Sequence, residues 1–497
     1  MSEPPALLRF GLAPGGLLLV RRHALVAGDS AVGKRGRSLK SSLSLLDSTD
    51  RSFAAAGWLC LAIEDGRDRR IVTLPIAGMA LAPPPVLDAI DDLDTLAQGT
   101  LSGQIHSLKQ DGHAVMLQSY KVQLKIPGKP AGERQAATYE AVTLQGAPEA
   151  GGAVTALAAA LVRDLPLRWT GVAPLVQAVC ALGLLEPPPV RAAALDYDLP
   201  EAASAARVFA AIARHCLAQF DANLLPVLRD RDLEGVHQMR VALRRLRSAI
   251  GLFAPLLHDG ALQSLLDDLR WLGAPLGRKR DLDVFVTETL NPLRSLADPP
   301  KRLQHLATIL EDHRSAAQVA LESALNAPRL AALRLDLARF IAAVETGDPA
   351  VVVESEAATA PANGFAVAVL RKRRRKLKAL GSRHGELDIA ALHELRIQAK
   401  KLRYAAEFFR PLFVRRKGAR RFIAALAHLQ DCLGMLNDAD VGSRLVRDLL
   451  PDADKDPAAA AIAAWFAGRQ QLQLAQLGEA WDSFSAIRPF WKGSGEG

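Results

Sequence analysis

The stretch Val236–Phe253, VHQMRVALRRLRSAIGLF, carries one histidine and a ladder of bases. At 3.6 residues per turn, His237, Arg240, Arg244 and Arg247 fall within about 80° of one another, while Met239, Leu243, Leu246, Ile250 and Phe253 take the other side. Guanidinium groups gathered on one face offer charge-assisted, forked hydrogen bonds, so the chemistry such a face suits is the holding of an anion. The stretch returns as Leu392–Phe409, LHELRIQAKKLRYAAEFF. There His393, Arg396, Lys400 and Arg403 repeat the spacing 156 residues further on, with Arg245 and Lys401 flanking at matched positions. Two such helices imply an internal duplication.

Other residues invite the same question. The run Arg371–Lys378, RKRRRKLK, surrounds its helix with charge. Arg371, Arg374, Arg375 and Lys378 share a face and can join the ladders, and the rest are expected in solvent. Arg207 and Arg214, in the segment ahead of the first ladder, complete the candidate set. Few acids accompany the ladders: Glu234 precedes the first, and Glu394 and Glu407 bracket the second. Bases without acidic neighbours on one face favour ligand binding over a salt-bridged solvent face. No Asp, Cys or second His stands at ligand spacing to His237 or His393, so no metal centre is expected, and the histidines stay open between ligand contact and packing. The paired acids Asp281/Asp283 and Asp438/Asp440 are expected at helix starts, as caps and as ion partners of nearby arginines. No nucleophile accompanies them, so no catalytic residue is assigned. Gly28–Lys34 matches GxxxxGK, but Arg35 stands where a P-loop needs Ser or Thr for magnesium.

These residues need elements to position them. From about Leu199 onward, apolar residues recur at three- and four-residue spacing, predicting helices over 202–228, 233–256, 262–272, 281–290, 302–325, 329–344, 365–380, 389–409, 419–436, 440–449 and 458–487. Upstream the chain reads as short strands at 16–26, 58–63, 70–74, 114–126 and 139–144, with one helix at 154–161, a mixed and largely antiparallel sheet. The proline run at 186–190 separates the halves. The expected organisation is a sheet domain over 1–185, a linker over 186–199, a helical repeat over 200–345, a second linker over 346–363 and a second repeat over 364–490.

Charge follows that division. The chain of 497 residues has a formal net charge of +9. Residues 1–200 hold 19 Lys+Arg against 19 Asp+Glu, so the whole excess lies in 201–497, with 43 against 34. A basic excess confined to the duplicated half suggests a polyanion: nucleic acid, polyphosphate or an anionic membrane face. Cys60, Cys180, Cys216 and Cys432 are too scattered for a metal cage or a disulfide framework. No apolar run approaches the roughly 20 residues of a membrane span, and the Ala- and Arg-rich usage suits a cytoplasmic bacterial protein.

The two ladders, together with LGRKRDLDV at 276–284 and its counterpart LGMLNDADV at 433–441, resemble the CHAD domain, a histidine-containing α-helical module. That resemblance covers roughly 200–490. It implies two pseudo-symmetric four-helix bundles that bind inorganic polyphosphate, in some members at polyphosphate granules. Polyphosphate carries about one charge per phosphate and would be held by charge and counterion release. Tyr404 apart, the basic faces lack aromatic residues, which argues against single-stranded nucleic acid.

The first 185 residues resemble the CYTH family of triphosphate-tunnel proteins, through LLDSTDRSFAAAGWL at 45–59 and YEAVTLQG at 139–146. That resemblance implies an antiparallel β tunnel in which acids hold a divalent metal and bases hold triphosphate. Here Pro5 and Leu7 stand where the ExExK strand has its carboxylates, with Arg9 at the lysine. Cys60 and Ala62 replace alternating arginines, and Val142 replaces the partner of Glu140. The tunnel is therefore expected to be degenerate and inactive. The expected function is polyphosphate binding without catalysis or cofactor; residual triphosphatase activity and nucleic-acid binding are the alternatives, and oligomeric state is left open.

Overall fold

The computed structural model describes residues 6–27, 36–66, 68–76, 93–128, 136–171, 174–186, 189–191, 195, 199, 202–297, 301–414, 416–450 and 455–491. The GxxxxGK match, Pro5 and part of the proline connector lie outside them. The chain divides into two compact units: one comprises 1–191, 217–239 and 322–340, the other 192–216, 240–321 and 341–497.

The first unit is built on a sheet of eight strands, β1 (Ala6–Leu12), β2 (Arg37–Asp47), β3 (Trp58–Asp65), β4 (Asp68–Pro75), β5 (Asp94–Gln110), β6 (His113–Lys125), β7 (Ala136–Gly146) and β8 (Arg168–Trp169). Their order is β4-β3-β2-β5-β6-β7-β1-β8. Every described pair is antiparallel, so the sheet is not mixed. Gly99 and Gly103 in β5 let β6 approach: a Cβ on Gly99 would lie 1.8 Å from the Gln123 carbonyl oxygen and one on Gly103 2.2 Å from that of Ser119. Glycines so placed permit the sharp coiling of a tunnel-like sheet.

Short helices α1 (Gly16–Arg22), α2 (Ala24–Ala27) and α3 (Ser52–Ala55) and longer ones α4 (Gly151–Asp164) and α5 (Pro174–Ala181) complete this part of the chain. The strand expected at 16–26 is in fact α1 and α2. An apolar run this short does not separate the two states; Gly15 turns the chain at φ 85°, and Leu17 and Val20, one turn apart, go into the core.

Period-two alternation gives the sheet two distinct faces. Register places Arg9, Tyr139, Ala141, Tyr120, Leu43, Leu45, Leu59 and Leu61 on one of them. That face is filled: Leu43, Leu45, Leu61, Tyr120 and Val122 form a core with Leu175, Val176 and Val179 of α5. The opposite face carries Phe10, Leu12, Val142 and Leu144 against α4. Cys60 and Ala62 also turn away from the Arg9 face, into a small cluster with Leu46 and Phe53. Glu140 points away too, and its carboxylate accepts the Leu17 N–H at 3.2 Å, capping α1. Of the described positions expected to line a tunnel, only Leu7 and Arg9 lie on the filled face.

The remaining elements are helical: α6 (Ala205–Asp230), α7 (Leu233–Phe253), α8 (Asp259–Val284), α9 (Asn291–Arg294), α10 (Arg302–Asn326), α11 (Pro328–Thr346), α12 (Glu356–Thr359), α13 (Ala362–Gly381), α14 (Ile389–Phe409), α15 (Arg416–Cys432), α16 (Gly434–Leu449) and α17 (Pro457–Ala486). Helices α7 and α14 start and stop 156 residues apart and each runs into a 3₁₀ turn, Ala254–Leu256 and Arg410–Leu412. Matched residues then meet in the second unit. Phe253 and Phe409 lie 5.7 Å apart, with Phe209 beside the first at 5.4 Å and Phe365 beside the second at 6.1 Å. A residue touching its own counterpart is what a local two-fold produces.

Two expectations change here. The break expected between 272 and 281 is absent, because α8 runs through Pro275 and on into a π-helical turn at Phe285–Leu290. Leu269, Leu272 and Leu276, all buried, supply the packing that outweighs the proline's lost hydrogen bond. Asp281 and Asp283 consequently stand near the C-terminal end of a helix, and Asp440 stands inside α16; none caps a helix start. The segment at 346–363 is anchored: Val353 donates to the Leu256 carbonyl at 3.0 Å, His258 to that of Val351 at 3.0 Å and Ala362 to that of Ala203 at 2.9 Å.

Candidate anion-binding site

Helices α7 and α14 bring their ladders together in the second unit. Lys400 is half-buried, and its ammonium is pushed down to about 8, first by burial and then by the positive fields of Arg244, Arg396, Arg240 and Lys401. Every charge acting on it is of its own sign. Two of the cations come from α7 and two from α14, and they are matched residues of the repeat: Arg240 with Arg396, Arg244 with Lys400. Among the described residues neither Lys400 nor Arg244 has an acidic partner. The Arg244 Nε is buried without a hydrogen-bond partner, and its guanidinium lies 5.8 Å from the centre of the Tyr404 ring. Arg240 donates to the Asp281 carboxylate at 3.0 Å. Like charges crowded into a partly desolvated space repel, and an anion laid across them removes the repulsion.

The structure distributes the other candidates elsewhere. His237 sits half-exposed one turn before Arg240 on α7, Arg247 is exposed one turn beyond Arg244, and His393 is exposed at the start of the second ladder. Arg245 is buried, 4% exposed, with its guanidinium 5.7 Å from the Phe408 ring. Arg403 lies 3.7 Å from Glu407 and 5.5 Å from the Tyr404 ring, in the same cavity as Arg245. Arg371, Arg374, Arg375 and Lys378 do share a face, lining a hollow of about 460 Å³ with Pro489 and Trp491. Burial holds the Arg374 guanidinium below its ordinary range. Arg214 is tied to the Glu345 carboxylate, and Arg207, exposed, adds its field to the same acid. That pairing lowers the Glu345 pKa and leaves Arg214 compensated.

The paired acids serve ion pairs. Asp283, fully buried, accepts Lys279 at 2.6 Å and Arg314 at 3.0 Å. Asp440 takes Arg444 at 2.7 Å, and the side chain of Asp438 lies outside those described. Among the described residues no group of three metal-ligating side chains gathers, and the four cysteines are buried and outside any disulfide. No helix of the described residues is long and apolar enough to cross a membrane. Sequence reasoning missed Arg410 and Arg420, which join Arg245 and Arg403 around one cavity. The basic cluster at 415–421, RRKGARR, is the signal that could have marked the second.

Residues 211–447 match the family model of the CHAD domain. A solved structure, the CHAD domain from the plant Ricinus communis, is 31% identical and matches with a TM-score of 0.50 over 61% of this chain and 98% of that one. The chain belongs to the CHAD-domain family. A second solved chain, PptA from Streptomyces chartreusis, is 18% identical over 57% of this chain and 99% of its own, with a TM-score of 0.39. No curated protein matches. The CHAD domain here follows an antiparallel eight-stranded sheet consistent with a CYTH-like tunnel, and the family is one associated with polyphosphate binding.

Proposed function

We propose that this CHAD protein binds inorganic polyphosphate across the paired ladders of α7 and α14, associates with polyphosphate granules in the cytoplasm, and catalyses no reaction on it. The observation that carries this reading is Lys400, half-buried under the fields of four other cations. A chain with about one charge per phosphate answers several such groups at once, with counterion release adding to the affinity. Tyr404, 1% exposed, is no stacking platform, which favours polyphosphate over single-stranded nucleic acid.

The sheet unit supports the absence of catalysis. A metal-dependent triphosphatase needs carboxylates projecting into a solvated tunnel. The face that carries Arg9 is instead packed with leucines, valines and α5, and Glu140 is spent on the cap of α1. The sheet then serves as scaffold or docking partner. Retention of long-chain polyphosphate on immobilised protein tests the reading: Arg240→Glu with Arg396→Glu should lower affinity at least about 100-fold, in keeping with two charge reversals at phosphate contacts. Unchanged retention would reject it, as would phosphate release from triphosphate with magnesium or manganese for the non-catalytic part.

A further inference from the structure

Helix α7 presents Arg244 to Lys400 but turns its neighbour Arg245 into a separate cavity of about 410 Å³, walled by α14 and α15. Arg245 is nine-tenths buried and has no acidic partner among the described residues, and its Nε finds no hydrogen bond. Beside it the Tyr404 hydroxyl is buried and equally without a partner. Buried polar groups are ordinarily satisfied, and a buried guanidinium at a cavity wall with its Nε unpartnered departs from that rule. Arg403, Arg410 and Arg420 complete the basic lining. Two of them are held in place, Arg403 near Glu407 at 3.7 Å and Arg410 by donating to the Leu195 carbonyl at 2.7 Å, while Arg420 stands exposed. Against these four cations the lining holds, among the described residues, one acid, Glu407.

The rest of the wall is apolar, from Leu195, Val241, Ile423 and Ala424. We infer that this cavity is a second binding site, one that takes a small phosphate monoester with an apolar or aromatic body, distinct from the polyphosphate face. Three features select that class. A net excess of arginines matches a phosphomonoester, which carries about −1.5 to −2 charges near neutral pH, better than a carboxylate. The volume is on the scale of small-molecule pockets. The apolar wall offers nothing to polyphosphate, every unit of which is charged, but covers an organic body. The phosphate sits among Arg245, Arg403 and Arg420.

Calorimetric titration of the full chain with phenyl phosphate, inorganic phosphate and benzoate tests this. One phenyl phosphate should bind per chain, at least about tenfold more tightly than either fragment, since the site uses both the dianion and the body. Arg420→Glu, an exposed change, should weaken phenyl phosphate at least tenfold with the melting temperature maintained. Lys400→Met should weaken polyphosphate and leave phenyl phosphate within twofold. No binding of phenyl phosphate, equal affinity for inorganic phosphate, insensitivity to Arg420→Glu, or loss in Lys400→Met would each overturn the separate site. The last outcome would assign the cavity to the polyphosphate path.

Discussion

Lys279 and Lys400 are two lysines of the helical unit withdrawn from water, in opposite company. Lys279, 4% exposed, places its ammonium 2.6 Å from both oxygens of the fully buried Asp283, which also accepts Arg314. Lys400 meets Arg240, Arg244, Arg396 and Lys401. The first arrangement is closed: donors and acceptor answer one another and leave nothing for a ligand. The second is open: its like charges have no compensating acid at Lys400 among the described residues, which leaves room for an anion. Burial of a cation therefore does not identify a site in this molecule; the sign of its neighbours does.

The comparison breaks most visibly at the closed cluster. Asp283→Ala leaves two cations facing a buried hole, and stability should fall by about 3–5 kcal/mol in urea denaturation, the range for breaking a buried pair from one side. Polyphosphate affinity of the folded protein should hardly move. Lys400→Met should do the reverse, weakening polyphosphate about tenfold or more while raising the melting temperature at pH 7. The pH dependence follows from the same residue. Folded Lys400 gives up its proton near 8 while the unfolded residue keeps it to about 10.5. Between those values the unfolded state holds the extra proton, so this residue makes stability rise with pH across that window, and Lys400→Met should flatten the rise. A finer test concerns Arg240 and the Asp281 carboxylate beside it. Asp281→Asn removes that competitor and should tighten polyphosphate about two- to fivefold, read as retention at increasing salt.

Much of this was legible in the sequence. The ladders announce themselves because helical periodicity and a repeat at 156 residues both follow from side-chain type alone. What periodicity cannot tell is which arginine goes inward. Arg245 and Arg247 are two residues apart in the same run, yet one is buried against Phe408 and the other is exposed, a choice made by the facing helix. The passage of α8 through Pro275 was hidden for the same reason, since tertiary packing overrides a local breaker. The sheet was readable where strands alternate cleanly, as in β6, and missed where they are serine- and threonine-rich, as in β2 and β5. Its faces needed the register. Glu140 looked like a surviving metal ligand, and only the pairing of β1 with β7 shows it turned toward α1.

Proton uptake on binding tests the central claim most directly. A polyanion laid across Lys400 restores its pKa toward the ordinary lysine range, so a fraction of the chains that had lost this proton must regain it. Long-chain polyphosphate titrated calorimetrically at pH 8.2 in two buffers of different ionisation enthalpy should reveal uptake of about half a proton per site, falling to near zero at pH 6.5 and absent in Lys400→Met. Tight binding at pH 8.2 with no proton taken up would contradict the placement of polyphosphate over the paired ladders.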